Sequence, residues 1–127
     1  MFAVEVRDHV MVAHSLPAPV FGPAQGLHGA TFTVDAAFFA ADIDRHGIVV
    51  DIGLATEALG RALAPLRYVN LDTVFPGEFT TTEFLCRHIW RDLAAAARDE
   101  GLGGPVARIR VTLQESHVAR AWFEADL

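Results

Sequence analysis

Two long runs of alternating apolar and polar residues constrain this 127-residue chain more than any other feature. Residues 2–14 and 27–40 both follow the two-residue period of a β-strand that buries one face. Between them, residues 15–26 contain three prolines and two glycines, which is typical of a loop. The alternation shifts across Asp8 and His9, which predicts a bulge in the first strand. The first third of the chain is therefore expected to form two long strands.

The remaining residues switch between turn, helix and strand patterns. The resulting order, β–β–β–α–α–β–β, predicts an α+β fold with antiparallel strands and two helices on one face of the sheet. We expect one domain over residues 1–127, which associates through its uncovered sheet edges. The predicted elements are a turn over 42–47 with Gly47 at positive φ, a third strand from residue 48, a helix from about Asp51 to Pro65, a helix from the threonines at 80–82 to Gly101, and strands over 106–113 and 119–125.

Composition excludes several classes of function. The net charge is -6, and the basic residues are ten dispersed arginines, so we expect no nucleic-acid partner. The single cysteine, Cys86, excludes an internal disulfide and any zinc site that needs two cysteines of one chain. Charged residues interrupt the N-terminal apolar run, and no apolar run approaches the roughly 20 residues of a membrane span. We therefore expect a cytoplasmic protein without a membrane partner.

Five short motifs occur in an order that indicates a family. They are Val12–Leu16, Leu27–Phe32, Gly47–Ile52, Thr80–Glu83 and Gln114–Ser116. With these motifs the chain resembles the 6-pyruvoyl-tetrahydropterin synthase and 6-carboxy-tetrahydropterin synthase family, which has the tunnelling fold, or T-fold. The resemblance implies a four-stranded antiparallel sheet with two helices on one face. It also implies trimers that close a barrel and stack into a homo-hexamer, with ligand pockets between subunits.

The zinc site of that family is only partly present. The family binds zinc through one histidine of the first strand and two at positions i and i+2 of the second. His14 and His28 match the first two positions, but the third is Ala30, which has no donor atom. A catalytic zinc needs three protein ligands and an open position. We therefore predict no cofactor and interpret both histidines as part of the pocket wall; zinc bound in an unexpected way is the alternative.

The family's catalytic residues are also replaced. Ala24 stands in the segment where the family has its cysteine nucleophile, and Arg67 and Tyr68 replace an aspartate–histidine pair. Arginine cannot exchange a proton near neutral pH, and the usual pKa of tyrosine is near 10. We therefore predict that the standard zinc-dependent reaction does not occur. Arg67 and Tyr68 are either surface residues or part of an altered pocket, where Arg67 would pair with an anionic substituent.

The resemblance implies that Glu115 is the ligand anchor of the family; without the resemblance, the sequence favours a solvated carboxylate at the end of a strand. A carboxylate can accept two hydrogen bonds from the adjacent N–H groups of a pterin or guanine ring. Thr81 and Thr82, at the start of the second helix, offer hydroxyl and backbone N–H groups to the same ring. For Glu83 we favour a capping contact with Thr80 over a contact with the ligand.

Three functions are compatible with these features. The first is a T-fold protein that binds a pterin-like or purine-like ring without zinc, with or without metal-independent chemistry on that ligand. The second is a non-enzymatic relative, either a pterin sensor or a subunit that binds another protein. The third is an active pterin synthase with an atypical zinc site. Turnover, binding without turnover, and zinc retained after dialysis distinguish the three.

Overall fold

Four antiparallel strands form one sheet in the order β1-β2-β3-β4, which confirms the predicted α+β class. The structure is a computed structural model that describes residues 1–127. The strands are β1 (Phe2–His14), β2 (His28–Ala40), β3 (Arg108–Ser116) and β4 (Ala119–Asp126), and the helices are α1 (Ile52–Leu63), α2 (Leu71–Val74) and α3 (Thr82–Asp99). Short 3₁₀ turns cover Pro19–Gln25 and Ala64–Leu66.

The ladder between β1 and β2 is continuous, so the bulge predicted at Asp8 and His9 is wrong. Asp8 lies opposite Val34 and His9 opposite Thr33, without a shift in register. The even-numbered residues of β1 face the helices along its whole length, and Asp8 is a polar residue within an otherwise regular alternation. A register shift occurs instead near the end of β3, between Gln114 and Ser116.

The third strand predicted from residue 48 is also wrong. β2 is already paired with β1 on one edge and with β3 on the other, so it has no free edge for another strand. Val49 and Val50 are nevertheless buried, because the segment packs beneath the loop that follows α3. The Asp51 N–H donates to the Leu102 carbonyl at 2.8 Å and fixes this contact. The preceding turn is as predicted, with Gly47 at φ 76°.

Both long helices begin at capping side chains and pack on one face of the sheet. Asp51 accepts a hydrogen bond from the Leu54 N–H at 3.0 Å, and Thr81 accepts one from the Phe84 N–H at 3.2 Å. α3 lies over β3 and β4, and α1 lies over β1. The residues buried between these layers form one apolar cluster that includes Phe32. No helix combines the length and the apolar character that crossing a membrane requires.

Two glycines provide a matched test of this packing. A Cβ on Gly104 would lie 2.2 Å from the Val49 carbonyl oxygen, whereas a Cβ on Gly60, inside α1, would meet open space. We expect Gly104→Ala to lower the free energy of unfolding by about 1–3 kcal/mol, as overpacking does. Gly60→Ala should raise it by roughly 0.5–1 kcal/mol, because alanine loses less backbone entropy in a helix.

Chemical unfolding of the two variants beside the parent protein measures both changes. A Gly104→Ala protein as stable as the parent would show that the loop after α3 does not approach Val49 this closely.

Candidate functional site

Two histidines face each other where β1 and β2 meet the loop between them. His14 lies directly opposite His28 in the ladder, with ring centroids 4.6 Å apart. His14 Nδ1 lies 3.0 Å from the Thr80 carbonyl oxygen and 3.1 Å from the Thr80 hydroxyl oxygen, and His28 Nδ1 lies 2.8 Å from the Gly26 carbonyl oxygen. Because a carbonyl oxygen only accepts, each Nδ1 donates, and in a neutral ring Nε2 keeps a lone pair.

His14 is the more enclosed of the pair. Its side chain is buried, and its Nε2 atom has no hydrogen-bond partner. Burial, and next the nearby His28, lower the pKa of His14, so the ring is neutral near pH 7. The hydrogen bond to the Thr80 carbonyl opposes this lowering of the pKa most, followed by the negative charges of Asp72 and Glu115. The Nε2 lone pair is therefore an acceptor for a ligand N–H or a metal.

The residues around these histidines do not fit a catalytic zinc ion. Ala30 lies on the same face of β2 as His28, opposite Val12, where it supplies only a methyl group. No group of three or more histidine, cysteine, aspartate or glutamate side chains is arranged to hold a metal. His9 has a side chain that is 74% exposed and lies on the opposite face of β1. The donor set is one ligand short of the three that catalytic zinc requires.

Three residues to which the sequence interpretation assigned no role in the site support His14 and its neighbours. Thr80 is fully buried and holds the His14 ring through its carbonyl and hydroxyl oxygens. Asp72 accepts hydrogen bonds from the Ser15 backbone N–H at 3.0 Å and from the Ser15 hydroxyl at 2.5 Å. These bonds lower the pKa of Asp72. Asn70, which caps α2 by accepting from the Asp72 N–H, was the sequence signal for this turn.

Glu115 lies on the bulge of β3. Gln114 pairs with Arg120 and Ser116 with Ala119, so Glu115 has no partner on β4. Its side chain is exposed and makes no hydrogen bond or ion pair within the chain. Bulges are common beside functional sites because they redirect a side chain. Sequence alternation placed Glu115 at the end of a strand but did not predict the bulge.

Glu115 shares a small cavity with the start of α3. The cavity has a volume of about 110 Å³ and is lined by Thr82, Glu83, Glu115, Ala119, Arg120 and Ala121. Thr81 lines a neighbouring cavity of about 400 Å³ that also includes Trp122 and Phe123. Ligand pockets usually measure about 300–1,000 Å³, so the cavity at Glu115 is too small to enclose a fused ring. Within one copy of the chain this site is open.

The predicted capping contact of Glu83 is not formed. The cap of α3 is Thr81, and Glu83 is the second helical residue, one position before the place where a capping box needs its carboxylate. The Glu83 side chain lines the cavity of Glu115 instead. The alternative of a contact with the ligand is therefore the one compatible with its position.

The three residues at the family's catalytic positions lie in different environments. Arg67 donates to the His9 carbonyl at 2.8 Å and to the Asp8 carboxylate at 2.7 Å, along the edge of β1. Tyr68 is 82% exposed and has a positive φ of 56°. Ala24 lies in the 3₁₀ turn before β2, where its carbonyl accepts from the Leu16 N–H.

The lone thiol of the chain is remote from this chemistry. Cys86 is buried in α3, and its Sγ atom donates to the Ala121 carbonyl at 3.3 Å. Burial raises the pKa of the Cys86 thiol to about 11, so it is protonated at neutral pH. Cys86 is part of the apolar cluster, where it packs as a small core residue.

A protein-family model and several solved structures match this chain. The family model described as 6-pyruvoyl tetrahydropterin synthase matches residues 3–126. Curated protein sequences give no significant match. Among solved structures, 6-pyruvoyl tetrahydropterin synthase from Caenorhabditis elegans has a TM-score of 0.83 at 17% identity, covering 98% of this chain and 95% of that one. The Plasmodium vivax enzyme has a TM-score of 0.70 at 14% identity, with both chains fully covered.

A third similar structure is an uncharacterized protein from Wolinella succinogenes. It has a TM-score of 0.69 at 14% identity and covers 96% of this chain and 97% of that one. At these identities the solved structures support the shared fold.

Restoring an imidazole at position 30 tests the interpretation of the metal site. We expect Ala30→His to raise zinc affinity by orders of magnitude, because the new ring would share a face with His28 and lie diagonally across from His14. Competition with a chelator of known zinc affinity measures the change. Thr31→His is the matched control, since Thr31 is exposed on the opposite face of β2. Equal zinc affinity in both variants would contradict this arrangement.

Proposed function

The chain belongs to the 6-pyruvoyl tetrahydropterin synthase family, and from that premise we propose that it binds a pterin-like or purine-like ring through Glu115 without the family's zinc-dependent reaction. The observation that carries the proposal is the exposed Glu115 carboxylate, which the bulge of β3 leaves without a partner. An ionised carboxylate in such a place accepts two parallel N–H groups from a 2-amino-4-oxo ring.

The first turn of α3 supplies complementary groups on the other side of the cavity. Thr82 offers a hydroxyl beside Glu115, and the Thr82 and Glu83 backbone N–H groups at the helix start have no partner inside the helix. These donors suit the ring carbonyl and ring nitrogens that remain once a carboxylate has bound the N–H edge. The site therefore supplies acceptors and donors in the combination that a pterin or guanine edge requires.

The two histidines have a role in this proposal that needs no metal. The His14 Nε2 atom is a buried acceptor without a partner, and a buried lone pair gains free energy when a donor reaches it. A ring N–H or a substituent hydroxyl of the ligand is such a donor. Because Ala30 leaves the zinc donor set incomplete, no part of the proposed function involves zinc.

We propose ligand binding, and a measurement of turnover decides whether a reaction follows it. Metal-stripped protein that converts a dihydropterin would be assigned a metal-independent reaction. Binding without turnover, or a co-purifying partner protein, would favour the sensor or partner-binding alternative. Zinc retained through dialysis by His14 and His28 would favour a synthase with an atypical zinc site.

We also propose that the functional form is a hexamer with ligand pockets between subunits. The cavity at Glu115 is too small for a ring, so walls from another copy would complete it. β1 and β4 are the two edges of the sheet, and the outer backbone of β1 bonds to the segment around Arg67 at His9, Met11 and Ala13. The rest of β1 has an uncovered edge. Uncovered strand edges pair readily with another chain.

Sedimentation of the purified protein tests the assembly. We expect a mass six times that of the 13.8 kDa chain, because trimer closure satisfies the open edges and head-to-head stacking completes the hexamer. A monomer at micromolar concentration would contradict the assembly and the pocket between subunits together.

A binding titration tests the ring site. Metal-stripped protein would be titrated with neopterin, a carboxylated pterin and guanine, beside Glu115→Gln and Glu115→Ala. Losing one charge-assisted contact should weaken binding by about tenfold to a hundredfold, equivalent to roughly 1.5–3 kcal/mol. Glu57→Gln, an exposed change on α1, removes the same charge far from the site and should leave the affinity unchanged. If none of these rings binds, Glu115 is not an anchor.

A further inference from the structure

The face of the sheet that carries no helix holds a second group of charged side chains, separate from the ring site. It is formed by odd-numbered residues of β1 and β2 and even-numbered residues of β3 and β4. Near its centre, Arg7 binds Asp35 through two bonds of 2.6 and 2.9 Å, and Asp35 is only 8% exposed. This two-bond ion pair neutralises the carboxylate of Asp35.

Arg110 lies beside this pair and is only loosely bound. Its closest carboxylate contacts are 3.9 Å from Glu5 and 3.7 Å from Glu124, beyond hydrogen-bond range. The Arg110 Nε atom is buried and has no partner. The guanidinium carbon lies over the Phe39 ring, 5.4 Å from the ring centroid, within cation–π range. Arg110 therefore has donors that no carboxylate uses, beside an aromatic ring.

These groups line a polar cavity of about 180 Å³ that draws residues from all four strands. Its walls are Glu5, Asp35, Arg110, Thr112, Arg120 and Trp122. Arg120 makes no ion pair in the structure. Of the charged residues that line the cavity, Arg110, Arg120 and Glu5 remain once Asp35 is neutralised. Glu124 lies outside the lining, 3.7 Å from Arg110 and 3.7 Å from Arg108, so its carboxylate is shared between two guanidinium groups. The Thr112 hydroxyl and the exposed Trp122 indole add further polar groups to the cavity.

We propose that this cavity binds a small oxyanion, either a phosphate or a carboxylate, between Arg110 and Arg120. The fork of a guanidinium matches the spacing of two oxygens in either group, and two guanidinium groups supply the charge. The volume suits an ion of a few heavy atoms and is too small for a fused ring. Arg120 also lines the cavity of Glu115, so the anion site adjoins the ring site. The inference stands on its own contacts and does not depend on ring binding.

The charge arrangement predicts opposite effects for two neighbouring substitutions. Arg110→Gln removes a principal donor and should weaken anion binding by about tenfold. Glu5→Gln removes the one carboxylate of the cavity lining that Arg7 does not neutralise and should strengthen binding by about threefold, because the like charge next to the ion is lost. A purely structural role for these residues would not produce opposite signs.

Isothermal titration of the full chain with inorganic phosphate, and separately with benzoate, at constant ionic strength tests the proposal. The anion that binds more tightly shows whether the cavity prefers a phosphate or a carboxylate. Arg45→Gln, an exposed change in the turn after β2, is the control with the same loss of charge. The proposal is supported if at least one anion binds the parent protein, and if Arg110→Gln weakens this binding and Glu5→Gln strengthens it. Arg45→Gln should leave the affinity unchanged.

Three results would overturn it. They are no heat of binding with either anion, equal weakening in Arg110→Gln and Arg45→Gln, or unchanged binding in Glu5→Gln. Circular dichroism of each variant separates loss of the site from loss of the fold, and the Glu5→Gln result decides the question if Arg110→Gln does not fold.

Discussion

The continuous pairing of β1 with β2 is the constraint on which the rest of the structure depends. Each residue from Phe2 to His14 has a partner on β2, so one register decides which side chains share a face along both strands. That register places His14 opposite His28 and Val12 opposite Ala30. A slip by one residue would move the histidines to the other face, away from Thr80. The arrangement of the candidate site is therefore a direct consequence of strand register.

A second local feature, the bulge at Glu115, gives this side chain a position that a regular ladder does not allow. In an unbroken hairpin, Glu115 would face a residue of β4, and its carboxylate would compete for cross-strand partners. The bulge removes that partner and leaves the carboxylate beside the start of α3. One extra residue in a strand thus connects the sheet to the helix terminus and gathers acceptor and donor groups at one opening.

Features of the fold that arise from local sequence patterns are predictable, whereas features that depend on distant contacts are not. The strands were predictable because alternation with period two is a local signal, and β1 has the bounds expected for it. The failure at residues 48–50 was not local: Val49 and Val50 have a strand-like composition, but β2 already has neighbours on both edges. The bulge at Glu115 and the role of Asp72 depend on register and loop packing, which no short window of sequence contains.

The two faces of the sheet divide the charged and titratable groups between them. On the helix side, burial lowers the pKa of His14, so the neutral ring has an acceptor atom at Nε2. Ala30 has no donor atom for the third ligand position that zinc needs. On the bare side, Arg110 and Arg120 have more donors than their carboxylate neighbours use. Arg120 lines both cavities, so the two sites meet at one guanidinium group. A substitution of Arg120 would therefore change the charge in both cavities, whereas Arg110→Gln changes only the cavity of the bare face.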